Sequence, residues 1–404
     1  MKILMVNKFL YPRGGCETYM LNLAEELKAK GHEVEYFGMY DEKNTVGNSL
    51  GLYTGNMDFH SKGIARFLYP FKIIFSAEAY KKLGKVLDDF KPDVVHMNNI
   101  NFQLTPAVIY AVKKRKIPLV QTVHDYQMIC PNHLLYSFDE TKVCERCING
   151  SKFNCLKHSC IHGSKAKSLI GSIEAVLYKA LKTYKNVDLY ICPSRFLESK
   201  LLSASDVYKG KTFTIHNFIE KKPLPEKADE KPYVAFASRL SKEKGVNLLA
   251  DAAKLLPQYS FVVAGNGPDD ECLKNIENVT LKGFITGNEL ISLTANARVM
   301  LLPSVWYENC PLNILETHCF GVPVITMNSG GMAELVEDGK TGLLVKEPTA
   351  EAIADAIKKC FEDEEFYNML RDNCKTRSNQ IIEVGEYCNI VVDKYKEIIN
   401  KRRK

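Results

Sequence analysis

The strongest candidate for chemistry in this 404-residue sequence is a pair of glutamates with the pattern Glu308-x7-Glu316. An apolar run that predicts a buried strand ends shortly before Glu308, which places this residue in a loop. Pro311 fits the first position of a helix, where its missing N–H leaves nothing unpaired. The free N–H groups of Leu312 and Asn313 could then bind a phosphate. Glu316, about one and a half turns into the helix, could accept two hydrogen bonds from a diol. The pattern predicts a loop carboxylate for a sugar, a helix end for a phosphate and a second carboxylate for a ribose.

Two cationic side chains follow the end of another predicted strand. Arg239 and Lys244 lie five residues apart in the loop SRLSKEKG. A guanidinium fork and an ammonium in one loop suit a diphosphate. Solvated surface charge is the alternative, and it fits Lys242 better than Arg239, which follows the apolar strand directly.

Three further loops carry glycine or histidine at predicted strand ends. Gly14 and Gly15 precede the first helix, and Gly265 opens a later turn. Glycines let the backbone approach a ligand closely, although chain reversal alone explains them equally well. Gly14 and Gly15 do not form a G-x-G-x-x-G pattern, which disfavours a nicotinamide or flavin cofactor. His124 ends a strand, where an imidazole can bind a hydroxyl or stabilise charge, with a structural role as the alternative.

The elements that must position these loops are apolar strands that alternate with helices. We predict strands at residues 2–7, 32–38, 93–97, 118–123, 188–192, 212–216, 233–237, 260–264, 279–281, 299–302, 322–327 and 342–345. We predict helices between them, including 18–30, 350–361 and a last one at 386–404. This alternation predicts parallel sheets covered on both faces, with ligands at the carboxyl ends of the strands. We therefore expect an α/β fold of two Rossmann-like domains facing across a cleft.

The domain boundary is predicted from composition. Residues 221–232 are rich in Pro and charge and poor in large apolar side chains, as a linker is. They divide the chain into a first domain at 1–220, a second domain at 221–384 and a terminal helix at 385–404.

Taken together, these residues resemble the family-4 retaining glycosyltransferases of the GT-B fold, over nearly all of the chain. The resemblance rests on Gly14, Gly15, His124, Arg239, Lys244, the turn at Gly265 and the pair Glu308 and Glu316. It implies that the first domain binds a glycan or lipid-linked acceptor and the second a nucleotide-diphosphate sugar donor. It also implies transfer with retention of anomeric configuration, assisted by the leaving phosphate, and a last helix that crosses back to pack on the first domain.

The resemblance also implies a role for each residue. Glu308 would contact the transferred sugar near the reaction centre, and His124 would contact the donor sugar or support the charge that develops on it. Glu316 would bind the ribose, and Arg239 and Lys244 would neutralise the diphosphate. Gly14 and Gly15 would let the first domain close over the phosphates, and Gly265 would belong to the donor-binding residues. The loop backbone at Asn309, Cys310, Pro311, Leu312 and Asn313 would bind sugar hydroxyls and phosphate. Members of the family often have Gly-Phe-Gly where this chain has Asn309-Cys310-Pro311, which changes the shape expected of the sugar pocket. No Asp-x-Asp occurs, in keeping with a fold that requires no metal cofactor for catalysis.

A cysteine-rich insertion at about 130–163 is not explained by that resemblance. Cys144-x2-Cys147 and Cys155-x4-Cys160 are two close pairs, which can supply four thiolates to a structural zinc ion. The alternative is a set of free thiols that shape the acceptor site.

The charge of the chain is unevenly distributed. Residues 1–225 hold 32 Lys and Arg against 21 Asp and Glu, whereas the rest holds 22 against 27. Apolar residues mixed with Lys62, Arg66, Lys72 and the lysines of 81–85 and 113–116 suit an anionic membrane surface, with solvated helix faces as the alternative. No nucleic-acid-binding signature accompanies the charge.

The N-terminal apolar run is broken at Asn7 and Lys8 and lacks a cleavage-like stretch, which predicts a strand rather than a secretory signal. We therefore expect a cytoplasmic protein, peripheral on the inner membrane face, that serves surface polysaccharide synthesis. The alternatives are a non-catalytic sugar-binding subunit of a transferase complex, or another sugar enzyme of the same fold, such as a phosphorylase or an epimerase.

Overall fold

The computed structural model describes residues 1–55, 72–225 and 231–403. The predicted basic positions Lys62 and Arg66, and part of the predicted linker, lie outside these residues. Within them, no helix combines the length and the apolar character needed to span a bilayer.

Two six-stranded parallel sheets form the framework, as the alternation of strands and helices predicts. The strands are β1 Lys2–Val6, β2 Glu33–Phe37, β3 Val94–Met97, β4 Leu119–Thr122, β5 Tyr136–Ser137, β6 Lys142–Val143, β7 Leu189–Cys192, β8 Thr212–Thr214, β9 Tyr233–Ala237, β10 Ser260–Ala264, β11 Val279–Gly283, β12 Val299–Leu302, β13 Val324–Met327 and β14 Gly342–Val345. The strand orders of the two sheets are β2-β1-β3-β4-β7-β8 and β11-β10-β9-β12-β13-β14. The predicted α/β class with two doubly wound sheets is confirmed.

Helices cover the sheets and connect their strands. They are α1 Gly15–Ala29, α2 Ala77–Phe90, α3 Ala107–Lys114, α4 Arg146–Asn149, α5 Asn154–Lys157, α6 Lys165–Ala180, α7 Arg195–Ala204, α8 Val246–Leu255, α9 Gly287–Ala295, α10 Leu312–Cys319, α11 Met332–Leu335, α12 Ala350–Glu362, α13 Glu364–Ser378 and α14 Val384–Arg403. The sequence pattern does not predict α13, which is polar and buries only Tyr367, Leu370 and Cys374.

The chain forms two compact units. The first comprises Met1–Asp139, Cys144–Asn217 and Val384–Lys404, and the second comprises Glu140–Val143 and Phe218–Glu383. Central strands such as β3 and β4 in the first unit, and β12 and β13 in the second, are buried along their whole length. Burial on both faces accounts for their continuous apolar sequence.

The last helix, α14, belongs to the first unit. The Tyr387 hydroxyl lies 2.9 Å from the Tyr19 hydroxyl on α1, and the Tyr395 hydroxyl lies 2.5 Å from His96 Nδ1 on β3. Near its end, Arg402 Nη2 donates to both carboxylate oxygens of Asp188 at 2.8 and 2.9 Å. Two buried hydrogen bonds of tyrosine hydroxyls and one ion pair thus fix a helix that is distant in sequence.

Candidate active site

Glu308 lies in the loop between β12 and α10, and three donors converge on one of its oxygens. Lys244 Nζ forms an ion pair with Oε1, and Trp306 Nε1 and Ser304 Oγ donate to the same oxygen at 2.9 and 3.1 Å. Burial raises the pKa of this carboxyl, but Lys244 and the two neutral donors outweigh burial, so the pKa is lowered from its ordinary value. Glu308 is therefore an ionised carboxylate at neutral pH.

The loop after β9 is held against the Glu308 loop by backbone contacts. Val305 N–H donates to the Glu243 carbonyl at 3.0 Å. Gly245 has φ +75°, and a Cβ atom there would collide with the Pro303 carbonyl. Only glycine fits this close approach, which fixes Lys244 beside Glu308.

Arg239 is engaged within the same loop. Its guanidinium pairs with the buried carboxylate of Glu243, which also accepts from Ser241 Oγ at 2.8 Å. The Arg239 side chain itself is 62% exposed. Both cations that the sequence assigns to a diphosphate are thus already paired with carboxylates, so an arriving phosphate must share or replace those partners.

Helix α10 begins one residue later than predicted. Pro311 is the N-cap with an extended ψ of 121°, and Leu312 is the first helical residue, so its N–H and that of Asn313 open the helix. Asn313 Nδ2 donates to the Ala237 carbonyl at 3.2 Å, while its Oδ1 is buried and has no hydrogen-bond partner among the described residues. A buried amide oxygen of this kind favours a ligand that donates to it.

Two neighbouring pockets lie on the second unit and share Leu290 of α9 as a wall. The larger, about 370 Å³, is lined by Ala237, Ser238, Arg239, Ala264, Gly265, Asn266, Phe284, Ile285 and Leu290. The smaller, about 170 Å³, is lined by Ile219, Glu220, Lys221, Lys222, Gly287, Leu290, Ile291, Thr294, Glu316, Cys319 and Phe320. The larger pocket is of the size typical for small-molecule sites, and Phe284 offers it an aromatic ring.

Glu316 stands at the smaller pocket with its side chain accessible. The surrounding protein removes part of its hydration and raises its pKa, and Lys222 acts in the opposite direction. The spacing Glu308-x7-Glu316 therefore separates two unlike carboxylates. One is paired and enclosed, and the other is open to a ligand.

The glycine turn after β10 is required by packing. Gly265 has φ +133°, and a Cβ atom there would meet the Ser238 carbonyl, while one on Gly267 would meet the Leu240 carbonyl. Leu240 N–H also donates to the Asn266 carbonyl at 3.0 Å. Packing between these loops is therefore sufficient to explain why residue 265 is glycine. The backbone of Gly265 also lines the larger pocket.

The sequence reasoning assigned no role to several residues of this site. Trp306 and Ser304 hold Glu308, Gly245 sets the loop of Lys244, and Gly330, with φ +61°, packs against the Glu308 backbone. Gly331 N–H donates to the Glu308 carbonyl at 2.7 Å. Trp306 could have been found, since it is the single tryptophan of the chain and stands two residues from Glu308.

In the first unit, Gly14 and Gly15 open α1 at the carboxyl end of β1. No described atom lies within 4 Å of a Cβ built on Gly15, and a Cβ on Gly14 meets only Glu17 at 3.5 Å. The buried Glu17 carboxylate accepts from Asn7 Nδ2 at 3.1 Å, which fixes the loop. Packing therefore does not require glycine at either position, and a ligand-binding role for Gly14 and Gly15 stays a prediction.

His124 follows β4 in the same unit. Its Nε2 lies 2.9 Å from Asn98 Oδ1, and its ring meets that of Tyr19 edge-on at 5.0 Å. Burial lowers the pKa of His124 to about 3, so the imidazole is neutral at physiological pH. It can donate or accept a hydrogen bond there but does not carry a positive charge.

The cysteine-rich segment also lies in the first unit. One pocket there is lined by His158 and by five cysteines, which are all free thiols: Cys130, Cys144, Cys147, Cys155 and Cys160. Among the described residues, no three of these thiols are grouped closely enough to hold a metal ion as they stand. The zinc prediction therefore stays a prediction.

Two family models match the chain. Residues 13–222, more than half of the sequence, match the model for Glycosyltransferase Family 4, and residues 217–377 match that for Glycosyl transferases group 1. The first match spans β2 to β8, and the second spans the six strands β9 to β14 of the other sheet.

Individual proteins resemble the chain over shorter or longer ranges. An uncharacterized 42.6 kDa protein in the cps region of Klebsiella pneumoniae is 26% identical over 353 residues, covering 83% of this chain and 87% of that protein. The O-antigen biosynthesis glycosyltransferase WbnH of Escherichia coli is 29% identical over 220 residues, or 52% of this chain and 60% of that protein. The crystal structure of Anabaena Alr3699/HepE in complex with UDP has a TM-score of 0.68 at 18% identity, covering 98% and 100% of the two chains.

Proposed function

Because the chain belongs to Glycosyltransferase Family 4, we propose that it is a retaining enzyme that transfers a sugar from a nucleoside-diphosphate sugar to a glycan or lipid-linked acceptor in surface polysaccharide synthesis. The proposal rests on the ion pair of Glu308 and Lys244 in the second unit, which lies beside the start of α10. Glu316, on the same helix, is accessible to a ligand. The named role of WbnH in O-antigen biosynthesis supports the type of product.

The two adjoining pockets suit the two ends of a nucleoside. The base would occupy the larger pocket against Phe284, and the ribose hydroxyls would donate to Glu316 in the smaller one. Because the Gly265 N–H donates to the Gly283 carbonyl at 2.7 Å, the Gly265 carbonyl is the group of this turn that would accept a hydrogen bond from the base. UDP in the structurally similar Alr3699/HepE supports a nucleotide donor in this fold.

The diphosphate would lie at the N-terminus of α10, whose Leu312 and Asn313 N–H groups favour an anion. Lys244 would then be shared between Glu308 and the phosphate, and Arg239 would exchange Glu243 for it. In the transfer, the bond between the sugar C1 and the phosphate oxygen breaks and the acceptor oxygen bonds to C1. The acceptor proton passes to the leaving phosphate. The cations stabilise the charge that develops there, so no metal cofactor is required.

Glu308 would contact the transferred sugar, with neutral His124 binding a sugar hydroxyl. Since Lys244, Trp306 and Ser304 all bind Oε1, the second oxygen of Glu308 is the one available for the sugar. Gly14 and Gly15 leave space for the donor or acceptor in the first unit.

Nucleoside-diphosphate release from a panel of donor sugars tests this function. Glu308→Gln preserves shape and should reduce release by about a hundredfold or more, as for other preorganised charges at a reaction centre. Glu277→Gln, at an exposed position of the same unit, is the matched control and should retain full activity. Donor binding without turnover in the unaltered protein would identify a non-catalytic sugar-binding subunit instead.

We also propose that the protein works at the cytoplasmic face of an anionic membrane and docks through α6. This helix buries Ser168, Gly171, Ser172, Glu174 and Tyr178. Its outward side and its C-cap residue Leu181 expose a row of apolar residues, at fractions of 37–56%: Leu169, Ile173, Val176, Leu177 and Leu181. Exposed lysines flank the row: Lys165, Lys167, Lys179 and Lys182. An apolar stripe bordered by lysines is complementary to a surface of anionic lipids.

Vesicle co-sedimentation tests the docking. The protein should sediment with vesicles of phosphatidylglycerol and much less with vesicles of phosphatidylcholine. The double variant Ile173→Gln, Leu177→Gln should sediment equally little with both. Leu255→Gln, at a residue 48% exposed in the second unit, is the control. Equal binding by the α6 variant would refute the assignment.

A further inference from the structure

The cysteine-rich segment contains little regular structure. Within residues 130–163, α4 and α5 have four residues each. Five non-glycine residues in this segment have φ between 48° and 69°: His133, Leu135, Thr141, Ser159 and His162. Left-handed backbone at side-chain-bearing residues is unfavourable and persists only where the surroundings impose it. The groups packed around this segment must therefore hold it in its conformation.

The thiols of this segment converge in one pocket of the first unit. Cys130, Cys144, Cys147, Cys155 and Cys160 line it, together with His158. Cys147 and Cys155 are buried, and Cys144 and Cys160 are partly accessible. Six soft or borderline metal ligands thus surround one small space.

Hydrogen bonds divide these six groups into two classes. Cys130 Sγ donates to Asn132 Oδ1 at 2.9 Å, and His158 Nδ1 lies 3.1 Å from Asp139 Oδ2. These two groups have strong partners of their own. Of the remaining thiols, Cys147 Sγ donates to the Lys152 carbonyl at 4.0 Å, and the thiols of Cys155 and Cys160 are hydrogen-bonded to each other.

A divalent cation in this pocket would replace the weak contacts among the thiols with four coordinate bonds to sulfur.

We infer that Cys144, Cys147, Cys155 and Cys160 bind one structural Zn²⁺ through four thiolates, and that this ion fastens the turn that follows His124. Zinc favours such closed tetrahedral sulfur sites. Since no three of the described thiols are already grouped at ligand distance, binding requires their side chains to rotate toward the centre of the pocket.

The connection to His124 runs through Lys152. This lysine is buried, and its ammonium donates to the Ile129 carbonyl at 2.6 Å and also to the Cys147 carbonyl. Tyr126 N–H donates to the His133 carbonyl at 3.1 Å, which ties the start of the same turn to the segment. Fixing Cys147 therefore fixes Ile129 and the turn just after His124 and Asp125.

Metal content of the full chain, purified without chelator, tests the ligand set. We expect about one zinc per chain, loss of that zinc in Cys144→Ser with Cys147→Ser, and full retention in Cys130→Ser. Cys272→Ser, whose thiol lies in the second unit and donates to the Asp269 carbonyl at 3.1 Å, is the matched control. Zinc well below one per chain, or a disulfide among these cysteines in alkylated protein, would overturn the inference.

Two measurements on the unaltered sequence keep the test valid if the serine variants fail to fold. Cobalt added to chelated protein should produce the thiolate charge-transfer and ligand-field bands of a tetrahedral sulfur site. Backbone hydrogen exchange at residues 124–133 should be roughly tenfold faster in the chelated protein, because local opening becomes easier. Absent thiolate bands would contradict the site, and unchanged exchange would contradict its connection to His124.

Discussion

Replacing Lys244 with Met should destabilise the second unit, because the change leaves Glu308 without its cation. The side chains of Lys244 and Glu308 are 19% and 12% exposed, so solvent screens the pair only weakly. Removing one partner of a buried pair costs about 3–5 kcal/mol, and a hydrogen bond to a charged group contributes about 1.5–3 kcal/mol. Trp306 and Ser304 still bind Glu308 in the variant. We therefore expect a loss of about 2–3 kcal/mol at pH 7.

The assay is urea unfolding followed by tryptophan fluorescence. Trp306 is the single tryptophan and itself donates to Glu308, so its emission reports on this unit. Combining Lys244→Met with Glu308→Gln completes a double-mutant cycle, for which we expect a coupling free energy of about 2 kcal/mol. Glu277→Gln serves as the surface control.

The effect should depend on pH in a definite direction. The folded pKa of Glu308 is lowered, so its ionisation stabilises the native protein above the ordinary glutamate pKa of about 4.3. That stability is lost as pH falls through the folded pKa. Without Lys244, the largest influence that lowers the Glu308 pKa is lost and this pKa rises above its value in the unaltered protein. The difference in free energy of unfolding between the two proteins should therefore shrink as pH falls from 7 to about 4. A coupling below about 0.5 kcal/mol, or a difference independent of pH, would refute the pairing in the free protein.

Three further outcomes follow from other parts of the structure. Gly265→Ala should destabilise the second unit by roughly 2 kcal/mol or more, because φ is +133° and the added Cβ would meet Ser238. Gly15→Ala should change the free energy of unfolding by less than about 0.5 kcal/mol and still impair donor turnover. Similar stability changes in the two alanine variants would contradict the distinction. Glu316→Gln should weaken nucleoside-diphosphate binding in calorimetry by about tenfold without shifting the thermal midpoint, since it removes a charged acceptor. Unaltered affinity would show that the ribose binds elsewhere. His96, His124 and His133 all have pKa values lowered to about 3 by burial. In the unfolded chain these imidazoles bind protons below a pH of about 6.5. The free energy of unfolding of the first unit should therefore decrease as the pH falls from that value toward 3, which urea unfolding followed by circular dichroism measures. Stability that is constant down to pH 4.5 would mean that these rings are not held neutral.

The strands of both sheets could be predicted because each is a short apolar run ended by a polar loop. Where predicted and observed strand bounds differ, they do so by one or two residues. At β13, for example, Val322 and Pro323 are apolar but lie before Val324, the first residue of the strand. Helix α13 was missed because it packs with one narrow face and is otherwise polar.

Helix α6 illustrates why a face cannot always be assigned from hydrophobicity. Its small and polar residues point inward, where Ser172 Oγ donates to the Lys152 carbonyl at 3.0 Å and Ser168 Oγ accepts from Ile161 N–H at 3.0 Å. The apolar residues are left outside. The usual rule that apolar faces are buried would orient this helix in the opposite direction.

The predicted site residues lie at the predicted strand ends, but their pairing could not be predicted. Lys244 and Glu308 are 64 residues apart, and their contact depends on β9 and β12 being neighbours in the sheet. The roles of Gly245 and Gly330 depend on loops packing against each other, which no local pattern encodes.

Proton NMR of the sugar transferred by the purified protein determines whether transfer proceeds with retention of anomeric configuration. With a donor of known anomeric configuration, the new glycosidic linkage should show the same configuration as the donor, and its signal should be absent with Glu308→Gln and present with Glu277→Gln. An inverted linkage, or transfer undiminished by Glu308→Gln, would contradict a retaining glycosyltransferase built around the Lys244–Glu308 pair.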